Sequence, residues 1–309
     1  MNDIEANSTA HIEVDLEQNE YKARISAFIN ECSIPSGIKF IEVLDNNAIT
    51  ELAKIAKNDP ETFKDLLENN MQIGETVVVI PLVIFQESIN NIKSMQHFNS
   101  FYEDFYRLLS QIVPIYIIDT YTNFDSFKLT YKDEMTAIQN YIEIAKTSTE
   151  NIEVIKSLRT ATTLNDVEAS FRSVGKDCGE RFAFLYSHAL IAEGRERVRF
   201  YSNEIQGVYR YWSAKLSKKT SLHKLILVKD SSDYKMHFKV LTLNKLFYET
   251  LVSFPELLDQ KKFLLDTWRT GKYNNDCVGF IEDEELHHDQ IDNTHFIEII
   301  KDEHSKIYY

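Results

Sequence analysis

A run of five residues, Thr76-Val77-Val78-Val79-Ile80, limits most strongly what this chain can fold into. Gly74-Glu75 precedes the run and Pro81 stops it, so it is too short for a helix, and its residues are β-branched. A short and almost wholly apolar run of this kind is typical of a strand that is buried on both faces. Such strands belong to parallel sheets that helices cover on both sides.

Other short apolar runs alternate with helix-forming stretches along the chain. Strands are predicted at residues 38–44, 115–118, 198–201 and 238–243, and helices at 48–57, 61–68, 83–112, 179–192, 207–218 and 244–252. This alternation predicts a three-layer α/β/α fold with a mostly parallel central sheet.

The chain is divided by composition into three parts. Residues 1–37 are predicted to be an acidic N-terminal extension, residues 38–252 the main domain, and residues 253–309 a C-terminal extension with an acidic, peripheral tail. Within the main domain, residues 119–173 are polar and helix-prone, which predicts a helical insertion.

The formal net charge of -14 argues at first against nucleic acid as a partner. The acids, however, are concentrated at the ends: residues 1–21 hold six acidic and no basic residues, and residues 281–309 hold nine acidic against two basic residues. Residues 195–229, in contrast, carry nine Lys and Arg against Glu196 and Glu204. This basic stretch predicts either a solvated helix face or a phosphate-binding surface.

The chain contains neither a run of about 18 apolar residues nor the basic and apolar segments of a signal peptide. We therefore expect a cytoplasmic protein without a membrane partner. Its three cysteines are far apart and form no CxxC motif, which argues against a disulfide framework and against a structural zinc site.

Four acids come directly after predicted strands or near the start of the helices that follow them: Asp45, Glu87, Glu180 and Glu204. The carboxyl ends of parallel strands meet at one edge of a sheet, so the fold would bring these four side chains together. Clustered carboxylates repel one another unless a cation lies between them, and Mg²⁺ or Mn²⁺ prefers oxygen ligands. Taken singly, each acid has an ordinary explanation as a helix cap, a first-turn acid or a solvated carboxylate.

The residues around the four acids resemble those of the PIN-domain nucleases. The matching segments are Asp45-Asn46-Asn47 after the first strand, Ile80-Pro81 followed by Glu87, Asp177-Cys178-Gly179-Glu180 at a helix start, and Ser202-Asn203-Glu204 after a strand. The resemblance covers residues 38–252. Three features depart from the family pattern: Asn46 replaces a hydroxyl residue, Glu204 replaces an Asp, and the insertion lengthens the gap between Glu87 and Glu180.

The resemblance implies a nuclease that depends on Mg²⁺ or Mn²⁺, with Asp45, Glu87, Glu180 and Glu204 as metal ligands and catalytic residues. Asp177 is a rival for the role of Glu180. The predicted substrate is RNA rather than DNA, in a toxin or defence effector that a protein inhibitor or antitoxin could restrain and that could form a homo-oligomer. The residues predicted to position ligands or bind substrate are Asn47, Ser202, Asn203, Arg210 and Lys215, and the aromatic residues Tyr209, Tyr211 and Trp212 lie among the basic ones.

Four alternatives stay open on the sequence. The chain could be a non-catalytic scaffold of PIN-like fold, or a phosphohydrolase that acts on small molecules. The histidines of the tail, His287, His288, His295 and His304, could bind a transition metal, although a solvated tail explains them more simply. Cys178 could act as a nucleophile, but no histidine pattern that would activate it is visible.

Overall fold

The computed structural model describes residues 20–175, 177–203, 236–254, 257, 261–269 and 277–308. Its central sheet has six strands in the order β1-β4-β3-β2-β5-β6, and all five pairings between neighbours are parallel. The predicted fold class, a three-layer α/β/α fold around a parallel sheet, is confirmed. The strands of this sheet are β1 (Ile29–Asn30), β2 (Phe40–Leu44), β3 (Thr76–Pro81), β4 (Ile115–Ile118), β5 (Arg197–Tyr201) and β6 (Phe238–Leu241).

The first helices follow the strands closely and are capped by side chains. They are α1 (Asn46–Asn58), α2 (Pro60–Asn70), α3 (Leu82–Asn90) and α4 (Asp104–Ile112). Asp59 accepts a hydrogen bond from the Thr62 backbone N–H at 3.1 Å, and Pro60 begins α2, where a missing N–H costs nothing. In α1 the apolar residues at helical spacing, Ile49, Leu52, Ala53 and Ala56, are all buried.

The helical stretch predicted over residues 83–112 is helical but is divided into several helices. α3 ends at Asn90, and a short helix (Met95–His97) and a π-helix (Phe98–Glu103) come before α4. Ser94 starts the new helix because its hydroxyl accepts a hydrogen bond from the His97 N–H at 3.1 Å.

The segment predicted to be a helical insertion is helical. It contains α5 (Thr120–Phe127), α6 (Glu134–Thr147), α7 (Ile152–Leu158) and α8 (Leu164–Arg172), and it leads into α9 (Cys178–Ala192). Thr163 and Asp166 form a reciprocal capping box at the start of α8. Within the described residues, no helix is both long and apolar enough to cross a membrane.

The helices form one layer on each face of the sheet. On one face, Leu44 of β2 and Tyr201 of β5 pack with side chains of α1, α2 and the later helix α10 (Leu243–Ser253) around a small apolar cavity. On the other face, Phe184 of α9 makes edge-to-face contacts with Phe200 and Phe238, with ring centroids 5.1 and 6.0 Å apart. The central strands are therefore covered on both sides, as the Val77–Ile80 run predicts.

Both predicted extensions contribute regular structure. Residues 20–25 are helical and β1 pairs with β4, so the central sheet begins before residue 38. The C-terminal segment contains α11 (Lys261–Trp268), β7 (Cys277–Glu282), β8 (Glu285–Gln290), α12 (Asn293–Lys301) and β9 (Lys306–Ile307), with a small sheet in the order β8-β7-β9. Residues 277–308 therefore form strands and a helix, and β8 among them is exposed along almost its whole length.

A buried arginine ties this C-terminal segment together. Arg269 is fully buried and donates hydrogen bonds to Asn244 Oδ1, Asn293 Oδ1 and the Ile291 carbonyl oxygen at 2.8 to 2.9 Å. Asn244 belongs to α10, so these bonds join the C-terminal segment to the helix that follows the last strand of the central sheet.

Candidate active site at the carboxyl edge of the sheet

The chain changes its direction of travel through the sheet between β2 and β5. From β2 it proceeds to β3 and β4 on one side, and from β5 it proceeds to β6 on the other. In open parallel sheets the crevice beyond the carboxyl ends of two such strands is the usual ligand site. The residues that follow β2 and β5 are Asp45 and Ser202.

Asp45 is held in this crevice by bonds to both strands. Ser202 Oγ donates a hydrogen bond to Asp45 Oδ2 at 2.8 Å, and the Asp45 N–H donates to the Tyr201 carbonyl oxygen at 3.0 Å. Asp45 also caps α1, since its Oδ1 accepts from the Asn46 N–H at 2.7 Å. The carboxylate is 6% exposed and therefore has a fixed orientation.

Glu87 lies on α3, half-buried and close to Asp45. Burial raises the pKa of the Glu87 carboxyl above its ordinary value, and the negative charge of Asp45 raises it further. Among the described residues, no lysine or arginine lies within ion-pair distance of Glu87. A carboxylate in this situation gains stability from taking up a proton or a cation.

Gly179 allows α9 to approach Glu87. A Cβ atom at this position would lie 3.3 and 3.5 Å from the two carboxylate oxygens of Glu87 and 2.8 Å from Ile84 Cγ1. A side chain here would therefore displace Ile84 and crowd Glu87. The sequence shows Gly179 only as part of a motif, because its neighbours Ile84 and Glu87 lie on another helix.

Glu180 follows Gly179 in the first turn of α9 and is half-buried. The helix dipole also favours an acid in the first turn of a helix, so Glu180 stabilises α9 whether or not it binds a metal ion. Its rival Asp177 is exposed, has a φ of 58° and makes no side-chain capping bond to α9.

The other predicted site residues have different surroundings. Asn47 is exposed in the first turn of α1. Asn203 Oδ1 accepts a hydrogen bond from the Leu243 N–H at 2.9 Å, so this oxygen supports the start of α10. Glu204, Arg210, Lys215 and the aromatic residues Tyr209, Tyr211 and Trp212 lie outside the described residues, as does the predicted helix 207–218.

Two of the first arginines of the basic stretch, Arg195 and Arg199, are internal, so neither a solvated helix face nor a phosphate-binding surface describes them. Arg195 donates to the carbonyl oxygens of Pro35 and Ile38 at 2.8 and 2.7 Å and is 6% exposed. Arg199 forms a buried bidentate pair with Glu42, with N–O distances of 2.7 to 3.0 Å. These two guanidinium groups hold the fold together and are not available to a polyanion.

An exposed cation that sequence analysis did not single out is Arg172, at the end of α8. Its guanidinium carbon lies 5.6 Å from the ring centroid of Phe182, and it has no ion-pair partner among the described residues. Its charge acts on the Cys178 thiol, which also senses the charge of Glu87. Arg172 therefore adds positive charge beside the acidic edge.

Cys178 itself does not have the properties of a nucleophile. Burial raises the pKa of its thiol, and the positive charges of Arg181 and Arg172 offset that effect only in part. The thiolate is therefore disfavoured at neutral pH, which agrees with the sequence argument against thiol catalysis.

Within the described part of the chain, no three His, Cys, Asp or Glu side chains are placed closely enough to hold a metal ion. This finding includes the histidines of the C-terminal segment, where His287 and His295 each pack 5.3 Å from the Phe280 ring. At the sheet edge, the donor set of Asp45 and Glu87 consists of hard oxygen ligands, which suits Mg²⁺ or Mn²⁺. Asp45, Glu87 and Glu180 are all described, and they do not form such a group of three. The assignment of all four acids as ligands stays a prediction, because Glu204 lies outside the described residues.

Comparisons with protein-family models, with curated proteins and with solved structures return no match for this chain. The resemblance to PIN-domain nucleases therefore depends on the short motifs and on their positions at the sheet edge.

Proposed function

We propose that this protein is a PIN-like nuclease that hydrolyses phosphodiester bonds with the help of Mg²⁺ or Mn²⁺. The observation that carries the proposal is the placement of Asp45. It lies at the point where the chain reverses its direction through the sheet, close enough to Glu87 to raise the pKa of that carboxyl. Two carboxylates that disfavour each other's charge in one crevice are suited to a divalent cation.

The residues at the sheet edge would have separate roles in this reaction. Asp45 and Glu87, with Glu180 and Glu204, would hold the metal, and Ser202 would fix the orientation of Asp45 through its 2.8 Å hydrogen bond. When bound, the metal supplies charge neutralisation at the phosphate and lowers the pKa of a water molecule. Arg172 would contact a neighbouring phosphate, and Asn47 is exposed where it can contact substrate.

The choice of RNA over DNA follows the family resemblance, as does a role as a cytoplasmic toxin or defence effector under the control of a protein inhibitor. Two of the basic residues of the predicted RNA surface, Arg210 and Lys215, belong to this proposal, together with Arg172. Arg195 and Arg199 do not, because both are buried against other parts of the chain.

A second candidate is a non-catalytic protein of PIN-like fold that binds a partner. The observation in its favour is that no group of three metal-ligating side chains is formed within the described residues. The two candidates predict different responses to metal, because an ion that binds only the folded state stabilises it.

Thermal denaturation in Mg²⁺ and in EDTA distinguishes them. For a nuclease, Mg²⁺ at about 100 times its Kd stabilises the fold by about 2.7 kcal/mol, and Asp45→Asn removes that gain. Asp119→Asn is the matched control, because Asp119 also follows a strand and caps a helix, accepting from the Thr122 N–H at 2.8 Å. A melting temperature that does not change with Mg²⁺ in the wild type favours the scaffold.

A further inference from the structure

A hydrogen bond joins the chain neighbours of two candidate metal ligands, Asp45 and Glu87. Asn46 follows Asp45 at the start of α1, and Ser88 follows Glu87 on α3. Ser88 Oγ donates a hydrogen bond to Asn46 Oδ1 at 2.7 Å. The contact thus joins position 46 to position 88, one residue beyond each acid.

The bond is buried at its Ser88 end and half-buried at its Asn46 end. Ser88 is 2% exposed, and its hydroxyl also lies 3.0 Å from the Ile84 carbonyl oxygen in the preceding turn of α3. Its position is therefore set by its own helix, while Asn46 is set by the first turn of α1. A polar contact with both ends anchored in this way resists relative movement of the two helices.

Asp45 is already fixed on its other side by Ser202, through the 2.8 Å bond to Oδ2. Glu87 has no comparable bond of its own among the described residues, and it lies against Gly179, which offers no side chain to hold it. The separation of the two carboxylates then depends on how α3 is held relative to α1.

We propose that the Asn46–Ser88 hydrogen bond is a positioning contact that sets the separation of the Asp45 and Glu87 carboxylates and thereby the affinity of the site for a divalent cation. The proposal rests on the proposed function, because it takes these two acids as metal ligands. Neither Asn46 nor Ser88 touches the metal in this scheme. Their part resembles that of the outer groups that orient ligands in metal sites, whose loss typically costs 10- to 100-fold in affinity.

The test is calorimetric titration of the full chain with MnCl₂ alone, for the wild type, Asn46→Ala, Ser88→Ala and the double variant. The matched control is Ser187→Ala. Ser187 is also fully buried, and its hydroxyl bonds back to the Ala183 carbonyl oxygen at 2.7 Å, but within α9. Urea unfolding without metal, measured on all five proteins, shows whether each variant folds.

We expect Ser88→Ala and Asn46→Ala each to weaken Mn²⁺ binding by about 10-fold, with the double variant no weaker than either single one, because one contact is lost in all three. Ser187→Ala should bind as the wild type does. A double variant that shows the product of the two single losses would mean that the residues act separately and would overturn the proposal, as would unchanged affinity in Ser88→Ala.

The result for the wild type separates this proposal from the proposed function. A wild type that binds no Mn²⁺ overturns the metal-dependent nuclease itself and the positioning role with it. A wild type that binds Mn²⁺, beside a Ser88→Ala variant that binds equally well, overturns only the positioning role. Since Mn²⁺ affinity is measured without substrate, neither conclusion depends on cleavage.

Discussion

Replacing Arg199 with methionine removes one half of an ion pair that is buried between β2 and β5 and leaves the Glu42 carboxylate with little compensation. Glu42 is fully buried, and Arg199, which is 5% exposed, lies directly beside it in the sheet register. Arg199 holds both oxygens of Glu42 and also donates to the Asn70 carbonyl oxygen at 2.8 Å. Breaking a buried pair of this kind costs about 3–5 kcal/mol.

The structure predicts an asymmetry between the single and the double substitution. Arg197 remains 4.0 Å from Glu42 and cannot replace the lost bidentate contact. Arg199→Met should therefore lower the free energy of unfolding by about 3–5 kcal/mol. The double variant Glu42→Leu with Arg199→Met removes both charges and should stay within about 1 kcal/mol of the wild type, since apolar residues of similar volume replace buried pairs well.

Urea unfolding followed by circular dichroism measures these differences. The control is Arg107→Met, which breaks an exposed pair with Asp104 (2.7 Å) and should cost about 0–1 kcal/mol. RNA binding by the double variant adds a second readout: a buried, structural Arg199 predicts unchanged affinity. An Arg199→Met variant that loses no more stability than the surface control, or a folded double variant that loses RNA affinity, would contradict a structural role for this ion pair.

Three other substitutions test the electrostatics of the site and of the sheet. Burial, and then the charge of Asp45, raise the pKa of the Glu87 carboxyl. The stability that the protonated form contributes is therefore lost as the pH rises through the folded-state pKa. At pH 8 without metal, Glu87→Gln should stabilise the fold and should abolish its stabilisation by Mg²⁺, which denaturation in EDTA and in Mg²⁺ checks. Arg172→Gln should weaken binding of a single-stranded RNA, because a phosphate contact is lost. The slope of log affinity against log salt, measured by fluorescence anisotropy, should fall in magnitude by about 1. The control Arg107→Gln should leave this slope unchanged. Burial raises the pKa of the Glu193 carboxyl to about 7, although Glu193 accepts a hydrogen bond from Ser126. The stability that protonated Glu193 contributes is complete below its ordinary pKa and is lost as the pH rises through 7. The free energy of unfolding should therefore fall by about 1 kcal/mol between pH 6 and 8 in the wild type but not in Glu193→Gln, and equal slopes in the two proteins would refute this assignment.

The central sheet could be predicted from the sequence because its strands are buried on both faces. Runs such as Val77–Ile80 and Ile115–Ile118 are short and almost wholly apolar, which is typical of parallel strands that helices cover on both faces. Because the carboxyl ends of parallel strands meet at one edge of a sheet, the acids that follow the strands could be placed at that edge. For Asp45 and Ser202, the structure gives the direct contact that this argument only implied.

Elements without an apolar signal could not be predicted. β1 has only two residues. β8 has the sequence ELHHDQ, in which almost every residue is exposed, and the turn before it places Asp283 and Glu284 at positive φ without the glycine that normally marks a hairpin. Such a segment has the composition of a solvated tail, although β7 pairs with it.

Partners that are distant in sequence account for the remaining errors. The charge of Arg199 is visible in the sequence, but its partner Glu42 is 157 residues away, so a buried pair and an exposed phosphate contact have the same local pattern. The same holds for Arg195, whose acceptors are backbone carbonyls near residue 35, and for Gly179, whose neighbour Glu87 lies on another helix.

Cleavage of an end-labelled single-stranded RNA tests most directly whether the acids at the carboxyl edge of the sheet use a divalent cation to cleave RNA. The wild type should cut this RNA in Mg²⁺ or Mn²⁺ and stop in EDTA. Asp45→Asn, which keeps the helix cap but removes the charge, should reduce the rate by orders of magnitude, whereas Asp119→Asn should retain it. Cleavage that persists in EDTA, or that Asp45→Asn leaves undiminished, would contradict the account.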